Sequence, residues 1–109
     1  MFIAIVQIPM PGQRTKEQAI SGAMNTAPQY LGMKGLLRKD YLNSDEGGGG
    51  IYQWESRAAA EAWYNDDWWQ MMESRYGVRP TLTFYDSFFT VDNLAGTCLI
   101  DGEPVKSGS

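Results

Sequence analysis

The pattern of apolar and polar positions predicts a chain of alternating strands and helices. Residues 2–8 are almost continuously apolar and rich in Ile and Val, which predicts a strand covered on both faces. After a Pro-Gly turn signal, Thr15 and Gln18 have the spacing of a helix capping box. Helical spacing follows at Ala19, Ile20, Ala23 and Met24. Pro28 and Gly32 limit how far this helix can run.

A second strand is predicted over residues 35–42, where Arg38 and Asp40 occupy one face and Lys39 and Tyr41 the other. The polar residues 43–46 and the four glycines of 47–50 predict a hairpin with a long, mobile tip before a third strand at 50–55. The glycine run is not a phosphate-binding loop, because no Lys-Ser/Thr pair follows it and it opens a strand instead of a helix.

The segment from Gly50 to Tyr64 changes from a strand pattern to a helix pattern. Ser56 is a good N-cap, and the Ala/Glu run after it has high helix propensity. Asn65-Asp66-Asp67 forms a second capping cluster, which predicts a break and a new helix. On that helix we expect Trp69, Met72 and Tyr76 to share one face, with Gly77 closing it.

A fourth strand is predicted over residues 81–90, and the element order is then β-α-β-β-α-β. This order predicts an α+β fold of the ferredoxin-like type, with a four-stranded antiparallel sheet, over residues 1–93. Residues 94–109 form a C-terminal tail in which Asp101-Gly102 predicts a small hairpin before the polar end at 106–109.

The strands are apolar on both faces, although two helices cover only one face of such a sheet. We therefore expect the other face to be buried by a second copy of the chain, in a homodimer that packs sheet against sheet.

Charge and composition exclude several classes of partner. The net charge of −4 argues against nucleic acids and anionic membrane surfaces, because both attract basic proteins. No apolar run approaches the roughly 20 residues of a membrane span, and the first residues lack the basic region of a signal peptide. A single cysteine, Cys98, fits an ordinary thiol in a cytoplasmic protein.

The chain has no histidine, which removes the usual general base, the usual haem ligand and the commonest zinc ligand. Catalysis would have to use Lys, Arg, Tyr, Asp, Glu, backbone groups or an external cofactor. Asp66 and Asp67 are adjacent on a helix and point about 100° apart, so helix capping explains them better than a paired-carboxylate site.

Two groups of residues are candidates for function. The aromatic side chains Trp54, Trp63, Tyr64, Trp68 and Trp69 either anchor a core or dimer interface, or line a pocket that stacks a planar compound. The polar strand residues either form a solvated edge strand, with Lys or Arg pairing to Glu55 or Asp86, or act on a ligand. In the second case Lys39 or Arg38 stabilises a phenolate or enolate, and Tyr41 or Tyr85 donates a hydrogen bond to it.

The chain resembles the dimeric α+β barrel superfamily, and within it the YdhR-type monooxygenases related to the antibiotic-biosynthesis monooxygenases. The resemblance covers residues 1–93 and rests on the element order, the Gly35-Leu36-Leu37-Arg38-Lys39 strand, the segment 52–60, Asp67-Trp68 and Tyr76-Gly77, and the strand ending Val91-Asp92-Asn93. It implies a homodimer with a pocket between sheet and helices in each subunit. The better-known monooxygenase relatives oxidise aromatic polyketides or quinols with O₂ and no metal, flavin or haem.

One residue departs from that family. Many relatives carry a His on the helix after the Trp-Glu-Ser/Asp segment, where this chain has Trp63. The departure excludes proton transfer by that His and argues against the haem-degrading branch. Three functions remain open: a cofactor-independent monooxygenase of a small aromatic, phenolic or quinol-type compound, a non-catalytic dimeric binder of a small hydrophobic molecule, and a polyketide cyclase or lyase on the same fold.

Overall fold

The computed structural model describes residues 1–10, 12 and 14–105. Three helices and seven strands lie in this part of the chain. In chain order they are β1 (Phe2–Pro9), α1 (Lys16–Tyr30), β2 (Leu36–Ser44), β3 (Gly47–Trp54), α2 (Arg57–Trp63), α3 (Asp66–Tyr76), β4 (Thr81–Asp86), β5 (Phe89–Asp92), β6 (Thr97–Ile100) and β7 (Glu103–Pro104).

The main sheet has four strands in the order β2-β3-β1-β4, and all neighbouring strands are antiparallel. Along β1 the alternate residues Phe2, Ala4, Val6 and Ile8 are buried, because this face packs against the helices. The predicted α+β class and its four-stranded antiparallel sheet are thus confirmed.

One hydrophobic core joins this face of the sheet to the helices. Its buried members are Phe2, Ala4, Val6, Ile8, Tyr52, Trp54, Ala60, Tyr64, Trp68 and Met72. Trp54 is only 2% exposed, and its indole Nε1 donates a hydrogen bond of 3.2 Å to the hydroxyl of Tyr64. The Tyr64 ring meets Trp68 edge to face at 4.8 Å, so aromatic contacts link β3, the end of α2 and α3.

The helix boundaries follow the predicted caps. Thr15 and Gln18 form the complete capping box of α1, and the helix runs through Pro28 to Tyr30. Ser56 caps α2, Asn65 caps α3, and the predicted break lies between these two helices.

The most buried face of α3 is offset by one residue from the predicted face of Trp69, Met72 and Tyr76. Trp68 and Met72 are buried, whereas Trp69 is half-buried. The guanidinium of Arg79 lies 4.2 Å from the centre of the Trp69 ring and covers it from the loop beyond the helix. Trp69 is therefore at the margin of the core.

The predicted mobile hairpin tip is also wrong. Strand β2 continues to Ser44, only Asp45 and Glu46 form the turn, and all four glycines belong to β3. Gly47 and Gly49 have φ angles of +148° and +151°, and a Cβ on either residue would collide with a carbonyl oxygen of β1. Glycine is needed there because the backbones of β1 and β3 approach closely.

The predicted fourth strand at 81–90 is two strands. Strand β4 ends at Asp86, the amide of Ser87 donates to the carbonyl of Met1 at 2.9 Å, and β5 then begins a second sheet in the order β5-β6-β7. The predicted hairpin at Asp101-Gly102 is confirmed, since these two residues join β6 to β7. The boundary predicted after residue 93 falls in the β5–β6 turn, and residues 106–109 lie outside the described part.

The main sheet keeps a second, open face. Ile3, Ile5 and Ile51 lie on it and are half-buried, and Tyr85 is 55% exposed there. In the described residues, none of the helices combines the length and apolar character needed to cross a membrane.

The hydrogen bonding of the two core indoles predicts unequal effects of Trp→Phe substitutions. Trp54→Phe removes the donor to the buried Tyr64 hydroxyl, whereas Nε1 of Trp63 is buried with no hydrogen-bond partner in the described residues. We expect Trp54→Phe to lower the free energy of unfolding by about 1–3 kcal/mol more than Trp63→Phe. Urea denaturation followed by far-UV circular dichroism measures both, and equal losses would contradict the expectation.

Candidate ligand-binding site

A cavity of about 500 Å³ lies between the main sheet and helices α1 and α3. Its apolar walls come from β1, α1 and α3, and include Val6, Ile8, Ala19, Ile20, Ala23, Met71 and Met72. Helix α1 has no buried residue, because the cavity separates its inner side from the sheet. The volume is in the range of small-molecule sites.

The floor of the cavity is the glycine run of β3. Gly48, Gly49 and Gly50 line it, and Gly48 and Gly50 point to the helix side of the sheet because they pair with the inward residues Ile8 and Val6. Residues with side chains at these two positions would fill the space, so the glycines also create the cavity.

Lys39 brings a positive charge to this apolar space. Its Nζ lies 3.7 Å from the ring centre of Tyr30, 4.0 Å from that of Tyr41 and 4.6 Å from that of Tyr52. Burial, together with the nearby positive charge of Arg75, lowers the pKa of the Lys39 amine to about 8. In the described part of the chain no carboxylate pairs with Lys39, so the three rings are its main electrostatic support.

The other charged groups at the cavity are also cations. Arg14, Lys16 and Arg75 line it, and none of the described lining residues is Asp or Glu. Arg14 donates a hydrogen bond of 3.4 Å to Oδ1 of Asn43, and Nδ2 of Asn43 donates to the carbonyl of Arg14 at 3.2 Å. A chain with a net charge of −4 thus carries a positively charged cavity.

The tyrosines at the cavity are suited to hydrogen bonding and not to proton abstraction. Burial raises the pKa of Tyr30 and of Tyr52, so both hydroxyls remain protonated at neutral pH. The Tyr41 hydroxyl lies 2.7 Å from Oγ1 of Thr26. The site can therefore donate hydrogen bonds and stabilise negative charge.

The structure divides the polar site residues predicted from the sequence between two faces of the sheet. Lys39 and Tyr41 line the cavity, as their shared strand face predicts. Arg38 and Tyr85 lie on the opposite face. The Arg38 guanidinium forms an ion pair of 3.1 Å with Asp40 and not with Glu55 or Asp86, the expected partners. Arg38 and Tyr85 cannot reach a ligand in the cavity, because the sheet separates them from it.

The predicted aromatic binding residues Trp54, Trp63, Tyr64 and Trp68 are packed in the core or against it and do not line the cavity. Trp63 lies behind the cavity wall, with its ring 5.8 Å from that of Tyr30. The core-anchor interpretation of this group therefore describes the structure. Its members support Tyr30 and Tyr52, which do face the cavity.

Several cavity residues were missed by the sequence interpretation: Arg14, Tyr30, Asn43, Gly48, Gly50 and Arg75. The glycine run was a visible signal, since four consecutive glycines in a strand mark a close approach of backbone or ligand. The two arginines gave no signal, because they are 61 residues apart and have ordinary neighbours in sequence.

No protein-family model matches the chain, and no curated protein matches its sequence. Within the described residues, no three Cys, Asp or Glu side chains lie together as a set of metal ligands.

The lowered pKa of Lys39 predicts how stability changes with pH. A lysine whose pKa is about 8 in the folded chain and 10.5 when free binds fewer protons folded than unfolded between these values, so its unfavourable contribution falls as pH rises. Tyrosines with raised pKa values oppose this effect only near pH 10. We expect Lys39→Met to be more stable than the parent at pH 7 and to lose part of that advantage by pH 9.5. Urea denaturation at both pH values measures it, with Lys34→Met as control, and a constant difference would refute it.

Proposed function

We propose that the chain binds a small phenolic or quinol-type aromatic compound in the cavity and oxidises it with O₂, as a monooxygenase that needs no cofactor. The observation that carries the proposal is Lys39, a cation without a carboxylate partner among the described residues, placed at an apolar cavity and surrounded by three tyrosines. A phenol bound beside this ammonium group ionises more readily, because the neighbouring positive charge lowers its pKa.

The phenol releases its proton to solvent water, and the phenolate is the form that reacts with O₂. It transfers one electron to O₂, and the phenoxyl radical and superoxide combine to form a carbon–oxygen bond. Loss of water from the resulting hydroperoxide leaves one oxygen atom on the product as a carbonyl. The substrate supplies all four electrons that reduce O₂, so no external reductant is required. The role of Lys39 is to stabilise the anion, and the Tyr41 hydroxyl can donate a hydrogen bond to it.

The arrangement of the main sheet supports the proposed family. The order β1-α1-β2-β3-α2-α3-β4 agrees with a ferredoxin-like β-α-β-β-α-β unit whose second helix is broken, and the strand order β2-β3-β1-β4 is the one such a unit gives. We propose on this basis that the chain is a YdhR-type member of the dimeric α+β barrel superfamily, and that the open face with Ile3, Ile5 and Ile51 is its dimer interface.

A second candidate function is binding without catalysis. It is favoured by the absence of a general base from the described cavity lining, where there is no carboxylate and the buried tyrosines hold their protons. In this case the positive cavity serves only to retain an anionic or hydrogen-bonding ligand.

Oxygen consumption separates the two candidates. We expect the metal-free protein to consume O₂ with members of a panel of phenols, anthrones and naphthoquinols, and the product to gain one oxygen atom by mass spectrometry. Lys39→Met should slow the reaction by about 10²-fold, as expected for loss of a group that stabilises a developing anion. Arg57→Gln, which removes an exposed cation that pairs with Glu61, is the control. Binding of panel compounds without O₂ uptake would reject the monooxygenase in favour of the binder, and a product that loses water without gaining oxygen would indicate a cyclase or lyase.

The open face predicts a dimer. We expect a sedimenting species near twice the chain mass of 12.2 kDa at micromolar concentration. Ile5→Lys should dissociate it, because a charge would be buried in the sheet-to-sheet contact. The control is Leu31→Lys, since Leu31 is 88% exposed at the end of α1. A parent protein that sediments as a monomer would contradict the proposed interface.

A further inference from the structure

We infer that the cavity contains a two-cation subsite, Arg14 and Lys39 resting on Gly48 and Gly50 of β3, that binds one anionic group with two adjacent oxygen atoms. The inference rests on the proposed function only in placing the ligand in this cavity. It names the chemical class of the ligand and gives a role to Arg14, which the proposed oxidation does not use.

The two cations are positioned by alternate glycines on the same face of β3. The position of a Cβ on Gly48 is 2.7 Å from Nη2 of Arg14, and that of a Cβ on Gly50 is 3.2 Å from Cε of Lys39. Both glycines pair with inward residues of β1, which places both contacts on the cavity side of the sheet. Each charged side chain thus lies in part of the space that a side chain on β3 would take, beside the Leu42 carbonyl oxygen at Gly48 and the Tyr52 ring at Gly50.

The two contacts lie at positions two residues apart on β3. Such residues are separated by about 7 Å in a strand, so the contact points of Arg14 Nη2 and Lys39 Cε on the cavity floor lie about that far apart. Two charge-assisted hydrogen bonds of about 2.8 Å, with the two oxygens of a carboxylate between them, span a gap of this size. A ligand with a single oxygen presents only one acceptor atom to the two cations.

Both cations are available for a ligand. The Arg14 guanidinium donates one weak hydrogen bond, to Oδ1 of Asn43. The other N–H groups of this guanidinium have no hydrogen-bond partner in the described residues. Neither Arg14 nor Lys39 forms an ion pair there. Arg75 lies close enough to act on Lys39, so the local charge is strongly positive. An anion between these groups relieves their mutual repulsion.

The apolar walls of the cavity determine which group fits beside the anionic part of the ligand. Val6, Ile8, Ala23, Met71 and Met72 offer apolar surface beside the two cations. The ligand class is therefore an aromatic compound that carries either a carboxylate or two adjacent phenolic oxygens, with the oxygens directed at β3. A carboxylate and a pair of phenolic hydroxyls both present two adjacent oxygens, and titration with one compound of each kind distinguishes them.

Three naphthalenes of similar size test the subsite: 2-naphthoate, 2,3-dihydroxynaphthalene and 2-naphthol, each titrated by calorimetry at pH 7. We expect at least one of the two-oxygen compounds to bind about tenfold more tightly than 2-naphthol, the size of one charge-assisted hydrogen bond. Preference for 2-naphthoate assigns a carboxylate, and preference for the diol assigns a catechol-type ligand. Equal affinity for all three would overturn the subsite.

Arg14 is the variant that distinguishes this inference from the proposed function. Arg14→Gln should weaken the preferred two-oxygen compound about tenfold and leave 2-naphthol within about twofold. Arg57→Gln makes the same charge change away from the cavity and should alter neither affinity. If Arg14→Gln weakens all compounds equally, or none, the subsite is refuted.

Gly48→Ala tests independently whether the Arg14 guanidinium lies against Gly48. The new methyl group should displace Arg14, so Gly48→Ala should weaken the two-oxygen compound as much as Arg14→Gln does, and the double variant should lose no more than either. Additive losses would overturn the proposed contact. Thermal melting shows whether Gly48→Ala is folded, and if it is not, Arg14→Gln alone decides. If the protein binds a two-oxygen compound more tightly than 2-naphthol but consumes no O₂, the proposed oxidation is rejected and the subsite is kept. If it consumes O₂ but binds all three naphthalenes equally, the subsite is rejected and the oxidation is kept.

Discussion

The close contact between the backbones of β1 and β3 is the constraint on which the rest of the structure depends. It requires glycine at Gly47 and Gly49, where a Cβ would collide with carbonyl oxygens of β1. The alternate glycines, Gly48 and Gly50, leave the helix side of the same strand bare. A single glycine run therefore fixes the strand pairing and creates the space above it. Helix α1 spans that space without burying a residue, and the cavity is the result.

Two of the positive charges at the cavity come from side chains that β2 and α3 direct toward it. Lys39 extends from β2 over Gly50 and is stabilised by tyrosine rings from α1, β2 and β3. Arg75 approaches from the last turn of α3, where a cation also interacts favourably with the helix dipole. The acidic residues that give the chain its negative net charge lie elsewhere, so the electrostatic character of the site is opposite to that of the whole molecule.

Local signals allowed much of the fold to be predicted from the sequence. The caps at Thr15, Ser56 and Asn65 each depend on a side chain and a backbone amide three residues away, and all three were predicted. The shared face of Lys39 and Tyr41 follows from strand alternation alone. The glycine run was misinterpreted because its conformation depends on β1, some 40 residues earlier, and composition by itself indicates a flexible turn.

The candidate site was less predictable because its parts come from distant segments. Arg14 lies against Gly48 and Lys39 against Gly50, and no sequence spacing indicates either contact. The tryptophans were the more conspicuous residues, and abundance of aromatic side chains does not distinguish a core from a pocket wall. Whether Trp68 or Trp69 is the buried residue depends on the rotation of α3 by one residue. It also depends on Arg79, which covers the ring of Trp69.

The cavity and the hydrophobic core are built largely from different residues. They share only Val6, Ile8, Tyr52 and Met72 among the buried side chains of the core cluster. The wall contributed by Ala19, Ile20 and Ala23 belongs to a helix with no buried residue, so substitutions there change the shape of the site at little cost in stability. Such a separation makes the fold evolvable: selection can alter the ligand through α1 while the aromatic core keeps the chain folded.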